Sequence, residues 1–229
     1  AMNTPADSIP VVTIDGPSGS GKGTISQRVA AEFGWHFLDS GALYRLLACA
    51  AGRDGVGLDD AAVLAELSGR IHGEFGIGAD GGEVVRLDGV DVTRELRTEA
   101  TGNAASRLAA LPEVRTALLE WQRRFRRQPG LVADGRDMGT VVFPEAGLKI
   151  FLTARPEVRA KRRHKQLKDK GINIPLEEVV EEVRARDRRD SSRQVAPLLP
   201  AQDALIIDNS DQAVDVTVAE IIRKIRATF

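Results

Sequence analysis

The sequence predicts an α/β fold in which a parallel sheet is flanked by helices, and three observations predict it. A β-branched run, Val11-Val12-Thr13-Ile14, feeds through a glycine-rich loop into a helical stripe. A second apolar run, Trp35 to Leu38, leads into a second helix. After an interrupted middle the rhythm resumes with Leu131-Val132-Ala133 and with Leu148 to Leu152. Strands alternating with helices in this way argue for a parallel sheet with helical crossovers.

The elements follow in order. Val11 to Ile14 has no polar alternation, as expected of a strand buried on both faces. Ile25, Val29 and Phe33 recur every fourth residue, a helical stripe that Gly34 ends. Ala42 to Ala51 reads as the next helix, with Leu43, Leu46, Leu47 and Ala50 on one face. The middle breaks the pattern: between Phe75 and Val92, Asp80-Gly81-Gly82 and Asp88-Gly89 flank Glu83 to Leu87, which are hairpin cues. A small antiparallel sheet is therefore expected inside an insertion, Ala61 to Asn103. Thr98 can cap the following helix, and Pro112-Glu113 opens another that should run to Arg127 before Pro129-Gly130. Pro156 opens a basic helix to Lys170, closed by Gly171. Pro175 opens a helix that is acidic early and basic late, matching the helix dipole. Ala204 to Ile207 is a last strand and Ala213 to Ala227 a closing helix.

Composition bounds the function. The 229 residues are 42% hydrophobic and 28% charged, which suits one large folded domain or one with insertions, not a disordered chain. A single cysteine, Cys49, allows no internal disulfide, and a reducing, cytosolic setting is expected. His36, His72 and His164 show no metal-ligand spacing. No apolar run approaches a membrane span, and the polar start lacks a signal peptide's apolar segment. The formal net charge is −1, yet Trp121 to Arg193 holds 19 Lys and Arg against 11 Asp and Glu. Solvated helix faces, a nucleic-acid surface and a pocket for small polyphosphates compete to explain that stretch.

The loop between the first strand and helix favours the third. Gly16-Pro17-Ser18-Gly19-Ser20-Gly21-Lys22-Gly23-Thr24 has the composition and the strand–helix context of a phosphate-binding loop. Its glycines let backbone N–H groups curl around phosphate oxygens, the helix adds its positive end, and Lys22 can reach the terminal phosphates. Gly23 stands where switch GTPases carry their magnesium-binding hydroxyl, which comes one residue later at Thr24. No Asn-Lys-x-Asp guanine-recognition motif occurs, so a nucleotide switch is the weaker reading.

Three further segments carry chemistry suited to a phosphate acceptor. Asp39-Ser40-Gly41-Ala42-Leu43-Tyr44-Arg45 follows the second strand, with Ser40 near a helix N-terminus and Arg45 about a turn inside. Asp134-Gly135-Arg136-Asp137 follows the third strand at the carboxyl edge, where open sheets bind ligands. Arg184 to Arg193 adds several guanidiniums with Asp187 and Asp190. Guanidinium forks hold phosphates strongly, although part of this charge is ordinary helix surface. Aromatic residues make up only 4% of the chain and none interleave these arginines, so stacking on a nucleic acid has little support.

With these segments joined by Asn103-Ala104-Ala105-Ser106, by Met138 to Pro144 and by Val195-Ala196-Pro197-Leu198, the chain resembles the bacterial cytidylate kinases, of the nucleoside monophosphate kinase superfamily. The resemblance spans nearly the whole chain in the family's order. It implies a P-loop NTPase fold with a core (9–60, 104–154 and 185–229), a nucleotide-monophosphate-binding insertion (61–103) and a helical lid (155–184). It implies transfer of a phosphoryl group from ATP with Mg2+ to CMP or dCMP, in pyrimidine metabolism. A monomer is expected, since lid and insertion must move, and the scarcity of aromatics argues against a nucleic-acid partner. Adenylate- or shikimate-type kinases are the nearest rivals.

Carried over residue by residue, the resemblance makes Ser106, Arg115 and Asp137 the cytosine readers. Arg45 and Arg136 become clamps on the acceptor phosphate, with Ser18 and Ser40 nearby. Arg186 and Asp190 resemble the sugar-binding pair, and Arg193 another substrate-side arginine. Arg159, Arg162 and Arg163 are lid arginines facing ATP phosphates. Lys22, Arg136, Arg186 and Arg193 then carry the charge of transfer, and Asp134 can hold waters of the magnesium ion.

Overall fold

The computed structural model describes residues 9–77, 83–169 and 171–229. The turn expected at Asp80-Gly81-Gly82, the polar start before Ile9 and the helix end at Lys170 lie outside them. The chain divides into two compact units, one of residues up to Leu38 with Arg123–Phe229, the other Asp39–Gln122.

The first unit is built on β1 (Val11–Asp15), whose five residues are all buried. β1 pairs in parallel with β6 (Leu131–Gly135) on one side and β7 (Leu148–Thr153) on the other. β8 (Leu205–Asp208) extends the sheet beyond β7, and β2 (His36–Asp39) lies beyond β6, giving the order β2-β6-β1-β7-β8. α1 (Lys22–Phe33) and α9 (Val214–Thr228) cover one face. Ile25 and Val29 of α1 pack with Val12, Ile14, Val132, Ile150 and Leu152 of the strands and Val218, Ile221 and Ile225 of α9. Burying a side chain of this kind contributes about 1.5–3 kcal/mol, so this cluster fixes where the strand ends, and the loops on them, can lie. α7 (Pro156–Asp169) and α8 (Leu176–Ser191) form a hairpin with its own small core of Ala160, Leu167, Val179 and Val183.

The second unit begins with α2 (Ser40–Asp54), capped by Asp39, whose carboxylate accepts from the Ala42 amide. Leu43, Leu46, Leu47 and Ala50 are fully buried, as their spacing predicts. α3 (Ala61–Arg70) comes before a three-stranded antiparallel sheet of β3 (Gly73–Ile77), β4 (Glu83–Leu87) and β5 (Val90–Asp91). α4 (Thr93–Leu96), α5 (Glu99–Leu108) and α6 (Pro112–Arg123) follow. Thr98 caps α5 as expected, accepting from the Thr101 amide at 3.2 Å.

Two local expectations are corrected. α3 stands in front of the hairpin, where the sequence predicts only a small sheet; Asp60 caps it and Leu64, Leu67 and Ser68 form its buried stripe. α6 stops at Arg123, short of Arg127. The Arg123 guanidinium donates to the Val142 carbonyl and Arg126 pairs with Glu145, drawing this stretch toward Met138–Ala146, while Pro129 disfavours helix just before it.

Candidate active site

The phosphate loop leaves the carboxyl end of β1, and its shape requires glycine at its entry. Gly16 has φ of 155°, and a Cβ there would lie 2.0 Å from the Leu152 carbonyl oxygen. Gly21, with φ of 88°, caps α1 in a left-handed conformation no ordinary side chain favours. Around this backbone the loop is held from three directions. The Lys22 ammonium donates to the Pro17 carbonyl at 3.2 Å and stands 4.0 Å from the Asp134 carboxylate, both side chains buried. Asn209, at the end of β8, donates from Nδ2 to the Ser20 carbonyl at 2.8 Å, and Arg162 donates to Ser20, Asn209 Oδ1 and the Asn209 carbonyl. Arg159, only 3% exposed, donates to the Ser18 carbonyl and to Ala154, and forks onto Asp187. Burial of the Arg162 guanidinium pulls its pKa below the ordinary value.

Beside the loop, β6 ends in Asp134 and Gly135, and the chain makes one wide π-type turn at Met138–Val142. Asp15, the last residue of β1, accepts from the Met138 and Gly139 amides, each at 2.8 Å. This fastens the turn directly after Asp137, whose carboxylate is also buried. Burial pushes the Asp15 pKa up to about 6, against the lowering effect of those two amides, with Asp137 adding repulsion.

A second cluster gathers around Asp190 on α8, which is 1% exposed. Arg136 donates to it from Nε at 3.0 Å, and Arg193 donates from the other side. Burial works to raise the Asp190 pKa, but the two arginine charges and the Arg136 hydrogen bond outweigh it and hold the carboxyl below its usual range. Arg186 lies on the same helix, half-buried.

The second unit holds Ser40, Arg45, Ser106 and Arg115, which the sequence reading expects on the acceptor side. Ser40, buried, donates to Gln122 Oε1 at 2.8 Å. Arg45 donates to the carbonyls of Leu96 and Thr98. Among the described residues, Ser106 Oγ is buried without a hydrogen-bond partner. Arg115, also buried, donates to the Ala109 carbonyl. A buried hydroxyl left unpaired costs roughly 1–3 kcal/mol, so Ser106 is suited to a polar ligand.

Of the residues the sequence singles out, the structure brings the loop, Lys22, Asp134, Arg159 and Arg162 into one cluster, and Arg136, Asp190 and Arg193 into another. Ser40 and Arg45 share α2 but turn to different partners. Sequence reasoning missed Asp15, Gln122 and Asn209. Asp15 stands directly before the loop's first glycine, which was the available signal; Gln122 and Asn209 matter only through tertiary contacts.

A family model described as cytidylate kinase matches residues 12–227. The chain belongs to the cytidylate kinase family. Curated cytidylate kinases agree: that of Aeromonas hydrophila is 54% identical over 93% of the chain and 92% of its own length. That of Methylococcus capsulatus is 57% identical over 91% of the chain and 93% of its own length. That of Stutzerimonas stutzeri is 54% identical over 95% of both. As a cytidylate kinase family member with this loop and a mostly parallel sheet, the chain is a phosphotransferase of the P-loop class. Among the described residues, no helix is long and apolar enough to cross a membrane.

Proposed function

We propose that the enzyme transfers the γ-phosphoryl group of ATP to CMP or dCMP, giving the nucleoside diphosphate and ADP, as a cytoplasmic monomer acting on free nucleotides. The family match over residues 12–227 carries this reading, and the same match speaks against an adenylate- or shikimate-type kinase. The organisation proposed with it is a core of 9–60, 104–154 and 185–229, an insertion at 61–103 and a lid at 155–184.

An oxygen of the acceptor phosphate attacks the γ-phosphorus, the bond to the β-bridging oxygen breaks, and ADP leaves. No covalent intermediate with the protein is needed, so catalysis is positioning and charge neutralisation. The loop amides and Lys22 hold the donor phosphates, and Lys22 follows the charge as it moves. Arg45 and Arg136 clamp the acceptor phosphate with Ser40 and Ser18, Arg186 and Asp190 hold the sugar, and Arg193 supplies a further positive charge. Arg162 and Arg163 face the ATP phosphates from the lid. Ser106 and Arg115 donate to cytosine O2 and N3, while Asp137 accepts from its amino group.

Magnesium fits this donor set as an ion brought in by ATP. Asp134, buried at the end of β6 beside Lys22, is the carboxylate that would hold its waters. Among the described residues no group of three His, Cys, Asp or Glu could hold a metal ion on its own, whereas Mg2+ in such sites keeps several waters and substrate oxygens. When bound, the ion neutralises phosphate charge.

A coupled ATP-consumption assay with CMP, dCMP, UMP and AMP tests the reading. CMP and dCMP should be the preferred acceptors; turnover of AMP without CMP would refute it.

A further inference from the structure

Arg159 is expected to be a lid arginine on the ATP phosphates, yet its guanidinium is committed elsewhere. Nε donates to Ala154 at 2.8 Å, Nη1 to the Ser18 carbonyl at 3.0 Å and to Asp187 Oδ1 at 2.9 Å, and Nη2 to Asp187 Oδ2. Four of its five N–H donors have protein acceptors, and the side chain is 3% exposed. The group therefore joins three pieces of chain: the β7–α7 connection, the phosphate loop and α8. Gly19 adds to the fit, since a Cβ there would stand 3.2 Å from the Arg159 Cβ.

Asp187 is the α8 end of that link. One turn further along the same helix sits Asp190, held by Arg136 and Arg193, and Arg186 precedes it. A helix turn is stiff, with a rise of about 1.5 Å per residue, so fixing Asp187 fixes where those groups lie. A bidentate fork fixes orientation as well as distance.

We propose that Asp187 is a positioning residue that acts through Arg159, tying α8 to the phosphate loop so that the phosphoryl donor and the acceptor-side groups of α8 keep one register. This rests on the reading of Arg186, Asp190 and Arg193 as acceptor-side residues. The link sits at the base of the α7–α8 hairpin, so the far end of the hairpin can move while the C-terminal half of α8 stays in place. A misplacement of about 1 Å costs a reaction that depends on alignment roughly a hundredfold, while each nucleotide keeps its other contacts.

The test is steady-state kinetics, with ATP and CMP each varied, on Asp187→Asn, Arg159→Lys, the double variant and Asp187→Glu, with circular dichroism to establish folding. Each of the first two should lower kcat at least tenfold and move both KM values by less than about threefold. The double variant should be no slower than the slower single, because both act through one pair. Asp187→Glu, which keeps the charge and the fork, should recover part of the kcat. Unchanged kcat in folded Asp187→Asn overturns the proposal, as does a tenfold rise in KM for ATP confined to Arg159→Lys, which would make Arg159 a direct ligand. Multiplied losses in the double variant also overturn it. If Asp187→Asn does not fold, Arg159→Lys and Asp187→Glu decide on the same criteria. Should the wild type prefer another acceptor, the functional reading fails, and the same kcat comparison with that acceptor still tests the link.

Discussion

Asp15 Oδ2 accepts from the Gly139 amide at 2.8 Å, fastening the last residue of the first strand to the turn that follows Asp137. The same carboxylate takes the Met138 amide on its other oxygen. One buried group thus fixes both the start of the phosphate loop, through Gly16 next to it, and the segment carrying Asp137.

Asp15→Asn keeps the volume but turns an NH2 toward one of these amides. The variant should lose roughly 1–3 kcal/mol of unfolding free energy at pH 4–5, read by denaturant titration. The sign of the pH effect follows from the raised folded pKa of about 6 against 3.8. Stability from Asp15 is fully present below the lower value and is lost as pH rises through the higher. The gap between wild type and Asp15→Asn should therefore narrow, by about 2 kcal/mol, as pH goes from 4 to 7.

Asp190 has the opposite sign. Its folded pKa lies below the ordinary 3.8, so its contribution is present above that value and is lost as pH falls through the folded one. Asp190→Asn removes the charge shared by Arg136 and Arg193, and breaking one side of such a buried group costs about 3–5 kcal/mol. Unfolding measured at pH 7 should show most of that loss. The variant's stability should fall less than wild type's between pH 5 and about 2.

What the sequence made legible, and what it did not, follows from the range of the interactions. β1, β6 and β7 are apolar runs whose burial needs only their own composition, β8 is an equally plain apolar run at the sheet edge with Ile206 exposed, and the loop's glycines and Lys22 are contiguous. Thr98 and Asp39 reveal themselves as caps because a cap acts within three residues. The turn at Met138–Val142 is different: it is stabilised by Asp15, 123 positions away, and nothing within Met138–Val142 announces it. Gln122 likewise matters through Ser40, 82 positions off, and Asn209 through Ser20, 189 positions off. α3 was hidden for another reason, because the glycine-rich hairpin cues beside it drew the whole segment into a sheet. Arg159 shows the limit for sites: the resemblance implies a phosphate contact, and only the structure reveals that Asp187 and Ser18 engage its guanidinium.

Lys22 sits over the loop with Pro17 and Asp134 as neighbours. Lys22→Met preserves the apolar stem and removes the ammonium. Turnover should fall by about 10²–10³-fold, as when a preorganised charge facing the transition state is lost. Far-ultraviolet circular dichroism should be unchanged, because α1 begins on backbone geometry at Gly21. A variant with near-normal kcat would remove Lys22 from the mechanism.

Specificity should reside in Asp137. Cytosine presents an amino donor where uracil has a carbonyl, and its N3 accepts where that of uracil donates. A buried carboxylate suits the first and repels the second, and a site built on such groups rejects the wrong base because buried polar atoms are left unpaired. Asp137 is 5% exposed, so water cannot readily take the ligand's place. Asp137→Ala should lower kcat/KM for CMP by about a hundredfold or more and leave UMP nearly unchanged, collapsing the CMP:UMP ratio. ATP affinity, measured separately by calorimetry, should stay within about threefold, because the proposed site places the donor phosphates on the loop and Lys22, away from the base. Ratios matching wild type would mean that the base is read elsewhere, by Ser106 and Arg115 alone.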